Sequence, residues 1–340
     1  MNALPIAIDA MGADRGPAEI VAGARQASEQ YGISVLLVGQ REALGDVGKL
    51  DVLEASEVIE MGEEPATSVR RKRDSSVVRA AEAVRDGQAS AMVSAGNTGA
   101  AVAAALLRIG RITGVQRPGI ATVLPVPGGK PTVLLDSGAN SECSAAWLAQ
   151  FAQMGAVLAN RRFGIAQPRV GLLSIGEEAT KGTPLVKEAH ALLSEPDWLE
   201  SSGGRFIGNV EGRDVLTDVL DVVVTDGFTG NVVLKTLEGS IKVFVEAVLG
   251  VMGSTEEIRK ASDVVLPALM PLYRELDPET YGGAMLLGID GVCIIGHGKS
   301  STRAIVNAVR VAADMVSGDL VGRLRGAVGR HPVPTAVQGS

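Results

Sequence analysis

Two stretches of the chain could do chemistry by the same means. Ala91-Met-Val-Ser-Ala-Gly-Asn-Thr-Gly99 and Asp221-Val-Val-Val-Thr-Asp-Gly-Phe-Thr-Gly-Asn-Val-Val-Leu-Lys235 each run from an apolar segment through a Gly-Asn turn into a helix-like segment. Glycines allow a sharp turn with exposed amides, and the helix N-terminus beyond adds partial positive charge, so such a turn suits an anion, with phosphate the first ligand to consider. The structural alternative is a tight strand-to-helix connection holding nothing. Polar turns of the same kind recur at Asp9-Ala-Met-Gly-Ala-Asp14, Asp136-Ser-Gly-Ala-Asn140, Gly176-Glu-Glu-Ala-Thr-Lys-Gly182, Asn209-Val-Glu-Gly212 and Gly296-His-Gly-Lys-Ser300. Each could equally be a capped helix start, since Asp, Asn, Ser and Thr are the usual N-cap residues.

Other signatures are missing. Gly298-Lys299-Ser300 imitates the end of a P-loop, but Cys293, inside an apolar run, stands where its first glycine belongs. No Gly-x-Ser-x-Gly elbow is present, and His190, His297 and His331 are too scattered for a metal site. His297, between glycines at a strand end, could touch substrate or simply cap a turn.

The elements that position these turns follow from the pattern. Short, uniformly apolar runs at residues 6–10, 35–39, 91–94, 119–124, 132–135, 170–175, 206–210, 222–225 and 292–295 read as strands covered on both faces. Amphipathic segments at 18–31, 75–85, 98–108, 145–159, 230–251 and 300–316 alternate with them. This predicts an α/β fold: a doubly wound, mainly parallel sheet with helices on both faces and the polar turns together at one sheet edge. The exception is Pro127-Gly-Gly-Lys-Pro131, which reads as the turn of an antiparallel hairpin. Residues 1–325 read as a single domain, in one body or two lobes, with an amphipathic helical segment at 254–280; residues 326–340 read as a flexible tail.

Composition narrows the class. The 340 residues are 46% hydrophobic, enough for a large core. A net charge of −7 argues against nucleic acid as a partner. Cys143 and Cys293 give neither a disulfide framework nor zinc-type spacing, which fits a reducing cytoplasm. The start of the chain lacks a basic n-region, and no apolar run approaches a membrane span, so neither a signal peptide nor a transmembrane anchor is expected.

In order and spacing, Ile-Asp-Ala-Met-Gly, Ser-Ala-Gly-Asn-Thr-Gly-Ala, Gly-Ala-Asn, Gly-Glu-Glu-x-x-Lys-Gly, Asn-Val-Glu-Gly, Asp-Gly-Phe-Thr-Gly-Asn-Val-x-Leu-Lys, Tyr-Gly-Gly-Ala and His-Gly-x-Ser span Ile6 to about Arg310. Together they resemble the bacterial phosphate acyltransferase family, PlsX, or acyl-acyl carrier protein:phosphate transacylase. The resemblance implies transfer of a fatty acyl group from acyl carrier protein to inorganic phosphate, feeding phospholipid synthesis. It also implies a fold like that of isocitrate and isopropylmalate dehydrogenases and phosphotransacetylases, a homodimer without metal or organic cofactor, and peripheral contact with the inner face of the cell membrane, where a downstream glycerol-phosphate acyltransferase would act.

Under that resemblance, Asn97, Thr98, Gly99 and Gly230 are the expected phosphate-binding residues. Lys181 would neutralise phosphate or the developing oxyanion, Asp226 and Asn231 would orient phosphate or take its proton, and His297 would contact the thioester or leaving sulfur. Asp9 and Asp136 are expected to hold turns. An acidic carrier protein needs a basic dock on an acidic enzyme, and Arg70, Arg71, Lys72 and Arg73 form the densest basic run, with Arg161-Arg162 next. Leu266, Leu269, Met270 and Tyr273 have helical spacing around Pro267 and Pro271 and are expected at a dimer or membrane contact. Three rivals remain: a phosphotransacetylase acting on short acyl-coenzyme A; an NAD-dependent decarboxylating dehydrogenase, for which neither a clustered Asp set nor an Arg-rich carboxylate site is clear; and a non-catalytic scaffold for carrier protein and membrane.

Overall fold

The computed structural model describes residues 4–195 and 197–328. Strands β1 (Ile6–Asp9), β2 (Val35–Gly39), β3 (Asp51–Glu54), β4 (Ala91–Ser94), β5 (Gly119–Leu124), β6 (Thr132–Leu135), β7 (Arg169–Leu173), β8 (Arg205–Val210), β9 (Val222–Val224), β10 (Ala284–Leu287) and β11 (Val292–Ile295) join in one sheet of order β3-β2-β1-β4-β11-β10-β5-β6-β9-β7-β8. The helices are α1 (Pro17–Tyr31), α2 (Arg41–Leu44), α3 (Pro65–Arg71), α4 (Ser76–Arg85), α5 (Thr98–Ala104), α6 (Ala145–Phe163), α7 (Pro184–Leu193), α8 (Gly227–Met252), α9 (Glu256–Leu276), α10 (Thr302–Ser317) and α11 (Leu320–Val328). Among the described residues no helix is long and apolar enough to cross a membrane.

The hairpin expected around Pro127–Pro131 is present: β5 and β6 pair antiparallel, Thr122 opposite Leu134 and Leu124 opposite Thr132. Its consequence for the sheet was not legible in the sequence. Strands β3, β2, β1, β4 and β11 form one parallel block, and β6, β9, β7 and β8 form another. Between them β10 is antiparallel to both β11 and β5, so the two blocks run in opposite directions. The expectation of one sheet edge carrying every polar turn is therefore corrected. The turns after β1, β4 and β11 lie at one end, and those after β6, β7, β8 and β9 at the other. The two ends are close, because β10 pairs with Ile295 at its first residue and with Gly119 at its last, about 10 Å along the strand.

Strands β3 and β10 went unrecognised in the sequence, β3 because it is an edge strand with exposed Asp51 and Glu54 at its ends. Strand β10 follows Gly282 and Gly283, whose φ values of 71° and 88° turn the chain back into the sheet. Helix α9 runs unbroken through Pro267 and Pro271, both exposed on it. Residues 326–328, assigned to the tail, belong to α11: Ala327 and Val328 are buried, and Ser201 Oγ donates to the Ala327 carbonyl at 2.7 Å. The rest of that tail, 329–340, lies outside the described residues.

Alternation along the strands divides the core. Ile6, Ile8, Val93, Ala121, Val133 and Leu135 pack with α1, α6, α7, α10 and α11 in the largest cluster. On the other face the cover is split: Ala7, Met92 and Ile120 pack with α4 and α5, while Leu124, Leu134 and Val223 pack with Val210, Val215 and the inner side of α8. Thr122 stands on β5 between Ile120 of one cluster and Leu124 of the other, so the gap between them opens over β5.

Helix α8 is held at this gap by a contact only glycine allows. A Cβ on Gly230 would lie 1.9 Å from the Asp136 carbonyl oxygen, whereas one on Gly239 of the same helix would meet nothing within 4 Å. Gly230→Ala is expected to lower stability by at least about 3 kcal/mol or prevent folding, and Gly239→Ala to raise it by about 0.5–1 kcal/mol. Denaturant titration of both variants checks this; similar small changes in the two would contradict the close approach.

Candidate active site

The first set of turns is knitted together at the ends of β1, β4 and β11. The buried Asp9 carboxylate accepts from Ser94 Oγ at 2.7 Å and from the Met11 amide at 3.3 Å, and burial raises its pKa. The Asp14 amide donates to the Gly298 carbonyl. Asn97 is fully engaged: its Nδ2 donates to the carbonyls of Glu60, Met61 and Glu63 at 3.0–3.2 Å, and its Oδ1 accepts from the Ala100 amide, capping α5. The side chain expected to hold phosphate therefore holds the 60–63 turn, because that turn, remote in sequence, brings carbonyls to its amide. Gly99 has a packing reason as well, since a Cβ there would come within 2.5 Å of Pro65. Thr98, by contrast, is exposed at the start of α5 and lines the gap.

The His297 loop is closed by its own polar groups. The His297 amide donates to Ser300 Oγ at 3.0 Å, the Ser300 amide to the His297 carbonyl at 2.8 Å, and the Lys299 amide to His297 Nδ1 at 3.2 Å. With Nδ1 an acceptor, the neutral ring carries its proton on Nε2, free to donate outward.

The second set is organised by Asp136. Its buried carboxylate accepts from the amides of Ile120, Gly138, Ala139 and Asn140 and from Asn140 Nδ2, all within 2.7–3.0 Å. The Gly227 amide donates to the Asn140 carbonyl at 2.7 Å, seating the first turn of α8 on this loop. Asp226 caps that helix, accepting from the Thr229 amide and hydroxyl, both at 2.8 Å. It is not among the residues that line the gap, and both its carboxylate oxygens serve the cap. Asn231, one turn further on, is exposed, has no internal hydrogen bond among the described residues and faces Gly138.

These two sets meet in one cleft of about 480 Å³. Thr98, His297 and Lys299 come from the first set, Ser137, Gly138 and Asn231 from the second, with Thr122 of β5 between them. The hydroxyls of Ser137 and Thr122 are 2.7 Å apart. Lys235 also lines the cleft, paired with Glu238 at 2.8 Å. Ser137, Lys235 and Lys299 were not singled out from sequence, although all three sit in or beside the polar turns. Of the residues expected at the site, the cleft gathers Thr98, Asn231 and His297. Lys181 is exposed on the turn after β7, and β6 and β9 stand between that strand and β5, so it is not among the cleft residues. Among the described residues no three His, Cys, Asp or Glu side chains group so as to hold a metal ion. Burial pushes both thiols up to about 12, which disfavours the thiolate form of Cys143 and Cys293.

The basic run closes helix α3 and the turn after it. Helix α3 packs against α5 through Pro65 and Gly99, leaving Arg70, Arg71 and Arg73 exposed. Lys72 turns inward, donating to the Val58 carbonyl at 2.6 Å and pairing with Glu63. Arg161 and Arg162 are also used internally, on the carbonyls of Gly318, Asp314 and Tyr281. Leu269, Met270 and Tyr273 are exposed on α9 and Leu266 is half-buried there; all four lie in its second half, away from the turn at 253–255 that forms the tip of the α8–α9 hairpin.

The α/β fold is shared with solved phosphotransacylases. The phosphotransacetylase from Streptococcus pyogenes superposes with a TM-score of 0.61 at 16% identity, over 93% of this chain and 94% of that one. A branched-chain phosphotransacylase from Enterococcus faecalis gives 0.60 at 16% identity, over 92% and 99%. At that identity the likeness is one of fold. Residues 4–323 match the family described as fatty acid synthesis protein. Phosphate acyltransferases from Pelotomaculum thermopropionicum, Geobacillus thermodenitrificans and a Nostoc species are 47%, 45% and 43% identical, over 96%, 94% and 94% of this chain and 95%, 97% and 95% of theirs. The chain belongs to this phosphate acyltransferase family, and it is an acyltransferase.

The 60–63 turn that Asn97 grips is pH-sensitive. Hydrogen bonds from the Glu60 amide, Lys72 and Ser68 hold the Glu63 carboxyl at about 2, against 4.5 when free. A depressed carboxyl contributes stability that is present above its unfolded value and lost as pH falls toward the folded one. Wild-type stability is therefore expected to fall between about pH 4.5 and 2, with a shallower fall for Glu63→Gln; parallel denaturation profiles for the two would contradict the assignment.

Proposed function

We propose that the chain transfers a fatty acyl group from acyl carrier protein to inorganic phosphate, giving acyl phosphate and free carrier protein for phospholipid synthesis. Support comes from its 43–47% identity to phosphate acyltransferases along nearly the whole chain, and from one cleft gathering Thr98, Asn231 and His297. Phosphate dianion is itself the nucleophile. It attacks the thioester carbonyl, the tetrahedral intermediate collapses, and the thiol leaves with the proton that phosphate gives up. Because the nucleophile and leaving group are both competent, the enzyme's work is positioning, charge stabilisation and exclusion of water.

In this reading phosphate sits between Thr98 at the start of α5 and Asn231 on α8, beside the Ser137-Gly138 turn, with Lys299 supplying charge. Nε2–H of His297 donates to the thioester oxygen or departing sulfur. Asn97, Gly99, Asp226 and Gly230 shape the cradle through backbone placement, and Lys181 contributes only if its turn reaches a cleft, in this chain or a second copy. The two opposed blocks around a cleft also support the dehydrogenase-like form of the fold.

The acidic carrier docks on Arg70, Arg71 and Arg73, beside Thr98. The subunits are cytoplasmic in this reading, and the exposed apolar residues of the α8–α9 hairpin, Leu269, Met270 and Tyr273 beside the half-buried Leu266 together with Val243, Phe244 and Val264, support a dimer or peripheral membrane contact.

Purified protein given hexadecanoyl-carrier protein is expected to form hydroxamate-trappable acyl phosphate only when phosphate is present; reaction with acetyl-coenzyme A alone would replace this reading by a phosphotransacetylase. His297→Ala should lower kcat about 10²-fold, and Thr98→Ala should raise the KM for phosphate about tenfold. Unchanged constants in both would remove them from the site. Arg71→Glu with Arg73→Glu should raise the KM for carrier protein at least about tenfold and leave that for phosphate unchanged, since docking is electrostatic. Equal changes in the two would defeat the docking assignment.

A further inference from the structure

The cleft does not end at α8. A second cavity, of about 390 Å³, continues from it and shares Thr122, Val123, Leu234, Glu238 and Pro278 with it. Beyond those shared residues its walls are mostly apolar, with Leu124 from β5, Leu216 from the segment after β8, Leu237, Ile241 and Val245 from α8, and Tyr273 and Leu276 from α9. Leu234, Leu237, Ile241 and Val245 follow one another at helical spacing, so α8 turns a single stripe to this groove, roughly 16 Å long. The charged residues on its lining are each paired: Glu238 with Lys235 at the junction, Lys242 with Glu246, and Asp277 with Arg303.

We propose that this groove is the acyl-chain site, and that the α8 stripe sets which chain lengths are accepted. The inference rests on the acyl-transfer reading above and adds to it the place of the chain. The reacting carbonyl lies in the cleft near Thr98, Asn231 and His297, and the hydrocarbon leaves it past Thr122 and Leu234 into the groove, the continuation that the shared residues define. An acetyl group would leave such a groove empty. A long saturated chain fills it, and each buried methylene strengthens binding about fourfold. The outer face of α8 stays available for other contacts, because the exposed Val232 and Val243 lie on the side of the helix opposite the groove-lining stripe.

The test narrows the groove with Ile241→Trp and widens it with Ile241→Ala, using full-length protein whose oligomeric state is checked by sedimentation. For hexadecanoyl-carrier protein, kcat/KM should fall at least tenfold in Ile241→Trp, while butanoyl-carrier protein stays within twofold of wild type. Ile241→Ala should leave butanoyl transfer unchanged and extend activity toward longer chains. Equal losses for both donors, no loss for either, or a changed oligomeric state accompanying equal losses would overturn the assignment. Binding of the fluorescent fatty acid cis-parinaric acid separates this inference from the reaction itself. If wild type transfers no acyl group but binds the probe, and Ile241→Trp weakens that binding at least tenfold, the groove stands and the reaction does not. Equal binding by both proteins, or by neither, overturns the groove.

Discussion

The carboxylate of Asp136 is the interaction on which the rest of the site depends. Fully buried at the end of β6, it gathers the amides of Ile120, Gly138, Ala139 and Asn140 and the side chain of Asn140. One ionised group thereby joins the first residues of β5 to the end of its antiparallel partner and shapes the loop on which α8 begins. Charge-assisted bonds of this kind are short and directional, and a buried carboxylate cannot give up any of them to water. The contact of Gly230 with the carbonyl of the same residue then fixes α8 at a distance that leaves the cleft open on one side and the apolar groove on the other.

Reversal of strand direction at β10, β5 and β6 gives the cleft its character. A sheet parallel throughout would align every strand's carboxyl end on one edge; here two such edges face opposite ways and are joined by short strands. Turns from both blocks thus reach one cleft from two sides. One side offers a threonine, an imidazole and an amino group, and the other an asparagine beside the Ser137-Gly138 turn. That equipment can hold an anion and stabilise a growing negative charge, and it matches a reaction whose nucleophile and leaving group need little activation.

Many of the polar residues that look chemical are structural. Asn97 uses its side-chain amide on backbone, Asp226 uses its carboxylate on the amide and hydroxyl of Thr229, and Lys72, Arg161 and Arg162 close contacts with carbonyls. What distinguishes Thr98, Asn231 and His297 is that their outward atoms remain free where two walls meet. The same split cover that exposes Thr122 on β5 opens the groove beside it, so the place where an acyl group could react and the place where its chain could lie come from a single gap in the packing.

The chain by itself determined its alternation of strands and helices, the hairpin at Pro127–Pro131 and the string of Gly, Asn and Asp turns, because these depend on local period and on which residues a backbone turn tolerates. The ordered motifs also sufficed to place it with the phosphate acyltransferases. The opposed direction of the two strand blocks, the engagement of the Asn97 side chain by the 60–63 turn, the close approach of Gly230 to β6, the placing of Lys181 outside the cleft lining and the groove along α8 were decided only in three dimensions. Each depends on partners tens to hundreds of residues away: carbonyls 60–63 for Asn97, the Asp136 carbonyl for Gly230, and β5 beneath α8 for the groove. Local pattern carries no record of which remote atoms will come within hydrogen-bonding distance.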